Sequence, residues 1–171
     1  MARFVAFLRA INTPPRHVKM ERLRAVFESL EFDHVVTVIA SGNVVFDTND
    51  VPIGAKIETA LHAELGFDVP TFLRRAADVI AIPQACPFPD GGDVEVSFLA
   101  EEPDAGEARA LEATASGSDR LAVVGRELFW SHAAPRRDSS HSEARVVRLL
   151  GMATTRRSLR TVRRIADELR R

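Results

Sequence analysis

Residues 3–9 read RFVAFLR, and the runs that follow, KMERLRAVFESL (19–30), HVVTVIA (34–40) and VVFD (44–47), decide the fold. The first run is apolar on both alternating faces, as a strand in the interior of a sheet must be. Residues 9–17 form a loop, because Pro14 and Pro15 fix φ and push their predecessors out of the helical region. From Lys19 to Leu30 the residues Met20, Leu23, Val26, Phe27 and Leu30 recur at spacings of three and four, which predicts a helix with one buried stripe. The two β-branched runs are separated by Ser41, Gly42 and Asn43, a hairpin signal because Gly and Asn tolerate positive φ.

Working outward, Ile53, Ile57, Ala60, Leu61 and Leu65 predict a second helix over 53–66 that stops at Gly66, and residues 69–74 (VPTFLR) predict a short strand. The order β-α-β-β-α-β is the split βαβ pattern of ferredoxin-like folds. After a Pro/Gly stretch the outline repeats. A strand is expected over 94–99, a helix over about 104–115, a hairpin turning at Gly125 and Arg126, and a helix over about 142–150. No final strand is legible, and one amphipathic helix is expected from about Thr155 to the end. The expected architecture is therefore α+β. It has an N-terminal ferredoxin-like half (1–82), a linker (83–92) and a C-terminal half (93–171) that is incomplete and ends in that helix.

Composition sets outer limits. The chain has 171 residues, 46% hydrophobic and 27% charged, with a formal net charge of −1. That excludes disorder, collagen and coiled coil. There is no apolar run long enough to span a membrane, no signal-peptide pattern at the start, and one cysteine, Cys86, so a cytoplasmic protein without a membrane partner is expected. The charge is segregated: residues 1–25 carry a net +5, residues 26–135 a net −13 and residues 136–171 a net +7. Arginine dominates both basic ends, and its planar fork suits phosphate or carboxylate. The same ends could instead dock on the acidic middle of the chain.

The runs RFVAFLRAIN (3–12), VKMERLRAVFESLEF (18–32), VIASGNVVFD (38–47), GFDVP (66–70) and MATTR (152–156) resemble a bacterial family known as domain of unknown function 1697. The resemblance implies a two-part α+β architecture and supplies no activity. It marks Arg9, Asn12, Lys19, Met20, Ser41, Gly42, Asn43, Thr154, Thr155 and Arg156 as motif positions. Three departures stand out against the family pattern: Ala10 and Thr13-Pro14-Pro15 in place of a Gly-rich loop, Arg157-Ser158 in place of Asn and an aromatic residue, and Ser142-Glu143 in place of a Ser-Lys pair.

The strand order also places a candidate surface. The first two strands run in the same direction, so the loop after the first lies beside the hairpin. Arg9, Asn12, Lys19, Ser41, Gly42 and Asn43 are therefore candidate ligand-binding residues for an anionic, phosphate-bearing metabolite, nucleotide or nucleic acid, joined by Thr155, Arg156 and Arg157 if the last helix folds back. Alternatively Asn12 and Ser41 cap local turns and Arg9 pairs with an acid. In a second cluster Arg136, Arg137, Ser139, Ser140, His141 and Ser142 precede one expected helix and Thr154, Thr155 and Arg156 the next, two helix starts that could hold phosphate; the favoured reading is that Ser139, Ser140 or Thr155 is simply a helix N-cap. No catalytic residue, cofactor or metal ligand is assigned. GxxxxGK[ST], GxGxxG and HExxH are absent, His62-Ala63-Glu64 lacks the cysteine pair of a zinc deaminase, and Ser140 beside His141 is not a triad. A cofactor-free enzyme using the same polar cluster and a protein-interaction module are the alternative functions.

Overall fold

Strand β1 (Ala2–Leu8) is the centre of the first sheet, as its doubly apolar pattern requires. It pairs antiparallel with β3 (Asn43–Thr48) on one side and β4 (Thr71–Arg75) on the other, and β2 (Asp33–Thr37) adds to β3, giving the order β2-β3-β1-β4. Helices α1 (Met20–Ser29) and α2 (Gly54–Leu65) complete a ferredoxin-like β-α-β-β-α-β unit. In this computed structural model the described residues are 1–88, 93–115, 117, 119–132 and 143–171. The chain divides into two units, Met1–Val79 and Ile80–Arg171.

In the N-terminal unit Phe4, Ala6 and Leu8 face the helices and pack with Leu23, Val26, Phe27, Ile57 and Leu61. Phe46 is the hub, with ring centroids 4.4 Å from Phe32, 5.4 Å from Phe27 and 6.1 Å from Phe4. Each such side chain contributes about 1.5–3 kcal/mol of burial. Arg22 ties α1 to α2 through Glu64, at 2.5 Å to its Oε1.

At the start of β1 a charged cluster faces the other way. Arg3 grips Asp47 in a bidentate fork at 2.8 and 3.0 Å, and His34 Nδ1 lies 3.1 Å from the same carboxylate. The Arg3 hydrogen bond, then the Arg3 and His34 charges, hold the Asp47 carboxyl below its ordinary value of 3.8. A carboxylate with a depressed folded-state pKa adds stability at pH values above its unfolded pKa, and that stability is lost as pH falls through the folded value. Urea unfolding between pH 6 and pH 2.5 should therefore show a steeper acid loss in the wild type than in Asp47→Asn. The difference is about 1 kcal/mol, kept small by the 42% exposure of the Arg3 side chain.

The C-terminal unit repeats the plan. Strands β5 (Asp93–Leu99), β6 (Arg120–Val124), β7 (Glu127–His132) and β8 (Thr154–Ser158) form a sheet in the order β6-β7-β5-β8, with α4 (Ala105–Glu112) and α5 (Glu143–Leu150) between strands. Asp104 starts α4 with a full capping box to Glu107.

Three expectations are corrected here. The C-terminal half is complete, because β8 pairs with β5 from Glu95–Ser158 to Leu99–Thr154. Thr155 is therefore a strand residue and not a helix cap; the cap of α6 (Leu159–Leu169) is Ser158, whose hydroxyl accepts from the Thr161 N–H. The sequence TTRRS lacks strand alternation, and pairing to β5 overrides it. The division between units falls inside a further helix, α3 (Ala76–Ala85), which runs into the expected linker and carries Pro83 in its last turn. Arg136, Arg137, Ser139, Ser140, His141 and Ser142 lie outside the described residues.

The two sheets share one register. Leu8 N donates to Gly42 O and Leu99 N to Arg126 O, so Phe4, Ala6, Phe46 and Leu73 of the first sheet correspond to Glu95, Ser97, Trp130 and Arg156 of the second.

Candidate functional site

Three segments meet at the C-terminal ends of β1 and β2. Leu8 N donates to Gly42 O at 2.8 Å and Arg9 N to Pro70 O at 2.9 Å. Asn12 spans two loops: its Nδ2 donates to Ala40 O at 2.9 Å, and its Oδ1 accepts from Val18 N at 2.7 Å. Asn43 Nδ2 donates to Val38 O and to Ser41 Oγ, both at 3.0 Å. Gly42 has φ +73°, and a Cβ there would stand 2.9 Å from Ile11 Cβ. Ala10, Asn12 and Ile39 are also left-handed, at φ +57°, +56° and +59°. Left-handed backbone is costly for an alanine or a β-branched residue, and it persists only where the surroundings impose it.

The expected juxtaposition of loops is thus present, but its members divide in role. Asn12, Ser41, Gly42 and Asn43 hold the loops together, which is the turn-capping alternative. The cations are different. Arg9 is half-buried, and Arg16, His17 and Lys19 are exposed. Arg16 lies over the Phe67 ring, its guanidinium carbon 4.4 Å from the centroid. Lys19 occupies the N-cap of α1 and supplies no side-chain cap, so the first N–H groups of α1 point outward at this end.

Neither loop, 9–19 or 37–46, contains an acid. Glu21 sits in the first turn of α1, and Asp68 is held by His62 Nδ1 at 2.8 Å. A cleft of about 360 Å³ opens at the other end of the sheet, but Glu31 and Asp50 line it alongside Lys56, which disfavours an anion there. Arg16 and His17, exposed on the same loop, are not singled out by the sequence, because a proline loop has no periodicity to mark which of its side chains face solvent.

Thr155 and Arg156 belong to the C-terminal unit and, as neighbours in β8, point to opposite faces. Thr155 is buried opposite Phe98, and its hydroxyl accepts from Arg157 Nη1 at 3.0 Å. Burial lowers the Arg157 guanidinium pKa to about 10 despite the Glu143 charge. Arg156 lies on the helix-facing side: Nε donates to Ser97 Oγ at 3.3 Å, Nη1 is 3.4 Å from Glu95 Oε2, and the guanidinium stacks 4.8 Å from the Trp130 centroid. His132 lies against the same indole at 4.6 Å. This buried polar group is legible in DVEVSFL (93–99), where Glu95 and Ser97 alternate in phase with Leu99, a core residue.

The architecture defines a class: two consecutive ferredoxin-like units, each closed by a helix after its fourth strand. A family model described as a protein of unknown function, DUF1697, matches residues 1–129, and the chain belongs to that family. Its match covers the whole loop cluster and stops before β8. The fold is similar to that of the conserved bacterial protein SP0830 from Streptococcus pneumoniae, with a TM-score of 0.80 and 23% identity over 100% of this chain and 99% of that one. No curated protein matches. Among the described residues no helix is long and apolar enough to cross a membrane.

Proposed function

We propose that this is a cytoplasmic binding protein for an anionic, phosphate-bearing small ligand, held where the three loops of the N-terminal unit meet. Arg9, Arg16 and Lys19 supply the charge, the N-terminus of α1 supplies backbone N–H groups, and Asn12, Ser41, Gly42 and Asn43 keep the loops in place. The observation that carries the reading is the acid-free 9–19 loop, with its cations, leading directly into a helix start that no side chain caps. Thr155 and Arg156 are not part of this reading.

The test is thermal unfolding with phosphate, pyrophosphate and nucleoside phosphates. A ligand at a hundred times its Kd stabilises the native state by about 2.7 kcal/mol. The wild type should gain that stability and Arg9→Ala/Lys19→Ala should not; the absence of any shift in the wild type contradicts the reading. A second reading, a cofactor-free enzyme at the same cluster, is favoured by the left-handed backbone at Ala10 and Ile39. Turnover of a bound ligand, lost in Arg9→Ala, decides for it.

A further inference from the structure

Each unit carries a helix mounted in the same way over its sheet, α2 in the first and α5 in the second. Both end on a left-handed glycine, Gly66 and Gly151, whose N–H donates to a carbonyl of the last helical turn, His62 O and Val147 O, at 2.8 Å. Counted back from those glycines, Glu58 and Glu143 hold the same helical position. Each accepts from the threonine that opens the following strand: Glu58 Oε1 from Thr71 N at 2.8 Å, and Glu143 Oε1 from the Thr154 hydroxyl at 2.9 Å. Thr71 and Thr154 also match in the sheets, opposite Leu8 and Leu99. The N-terminal unit is therefore a control for what lies beneath α5.

The layers beneath differ. α2 buries Ile57 and Leu61 in one cluster with Phe4 and Ala6, and Leu73 packs against it. α5 buries Val146, the counterpart of Leu61, among Leu99, Leu111, Leu128 and Trp130. At the register positions of Phe4, Ala6 and Leu73 the second sheet has Glu95, Ser97 and Arg156. A helix docking over apolar side chains gains their burial, whereas one docking over a carboxylate and a guanidinium strips water from both. Attraction repays that cost only in good geometry. Here Arg156 Nη1 meets Glu95 Oε2 at 3.4 Å, while the more exposed Arg3 grips Asp47 at 2.8 and 3.0 Å. Undocking α5 thus gives up less apolar burial than undocking α2, and it returns water to an ion pair.

We infer that α5 is a hinged cover on this polar layer. It lifts from its sheet in a local opening while α2 stays docked, and the open form presents Glu95, Arg156 and Trp130 to solvent. The turn is made at Gly151, where φ is +64° and no heavy atom lies within 4 Å of the position a Cβ would take. Opening breaks the contact between Thr154 and Glu143 and withdraws Val146 from the indole of Trp130. The inference concerns the C-terminal unit and does not rest on the loop cluster of the N-terminal unit.

Native-state hydrogen exchange of the 15N-labelled full chain, under conditions where reclosing outruns exchange, tests this. Relative to unstructured rates, the amides of residues 147–150 should exchange about tenfold or more faster than those at the matching positions 62–65, and faster than those of β5 and β7 in their own unit. E95F/R156L, which gives the layer the apolar character of Phe4 and Leu73, should slow exchange in α5 by about tenfold or more and leave α2 unchanged. A thiol readout leaves the layer intact: in a Cys86→Ser background, Val146→Cys should react with a thiol reagent about tenfold or more faster than Leu61→Cys, although Leu61→Cys removes the larger side chain. That comparison decides the matter if E95F/R156L does not fold. The inference is overturned if α5 is as protected as α2, if α5 exchanges only together with β5 and β7 as in unfolding of the whole unit, if the two thiols react at equal rates, or if folded E95F/R156L exchanges α5 at the wild-type rate.

Discussion

Gly42→Ala is expected to destabilise the N-terminal unit by about 3 kcal/mol, a large effect for a single added methyl group. Two costs combine. The backbone is left-handed at φ +73°, which costs a residue with a Cβ about 1–2 kcal/mol. The new Cβ would stand 2.9 Å from Ile11 Cβ and 3.1 Å from Leu8 Cβ, and both neighbours are buried side chains attached near their backbone, so relief requires the loops to separate. Overpacking of this kind costs about 1–3 kcal/mol. The position also carries the carbonyl that accepts from Leu8 N, so loop separation loosens the end of β1. Urea unfolding monitored by amide exchange of β1 and β3 measures the loss. An Ala variant as stable as the wild type would mean that the loops are not in contact as described.

Glu95→Ala should cost about 3–5 kcal/mol, because it removes a carboxylate from a guanidinium whose side chain is only 14% exposed. The more informative result is the pair. Glu95→Phe with Arg156→Leu installs the residues that the N-terminal sheet carries at the same register positions, Phe4 and Leu73, and converts the ionic layer to an apolar one. That double variant should recover most of the loss seen in Glu95→Ala, since a buried ion pair repays little of its desolvation and a matched apolar pair repays all of it. Urea denaturation of the single and double variants gives the coupling directly. A double variant as unstable as Glu95→Ala would show that the polar layer is needed for the fold of the C-terminal unit.

The first 75 residues were legible because their patterns are locally consistent. The doubly apolar β1, the 3–4 spacing of α1 and the β-branched hairpin each agree with the pairing finally made. The later elements were obscured by identifiable conflicts. Pro83 masked α3, although a proline in the last turn removes only one helical hydrogen bond. TTRRS has the composition of a cap and becomes β8 only through its pairing with β5. The meeting of the loops followed from strand direction alone, yet their side-chain roles did not. An asparagine that bridges two loops and one that contacts a ligand read the same in sequence, and only the paired hydrogen bonds of Asn12 tell them apart. Conversely, Glu95 and Ser97 in the core phase of a strand were a visible signal of the buried polar layer.

The central claim is that the loop cluster of the N-terminal unit binds phosphate-bearing anions. The most direct measurement is a pyrophosphate titration of the 15N-labelled full chain followed by amide chemical shifts. The account predicts saturable shifts concentrated in Arg9–Ala10, Arg16–Glu21 and Ser41–Asn43, abolished in Arg9→Ala/Lys19→Ala. No shifts, or shifts confined to the cleft around Thr48–Lys56 or to the C-terminal unit, would contradict it.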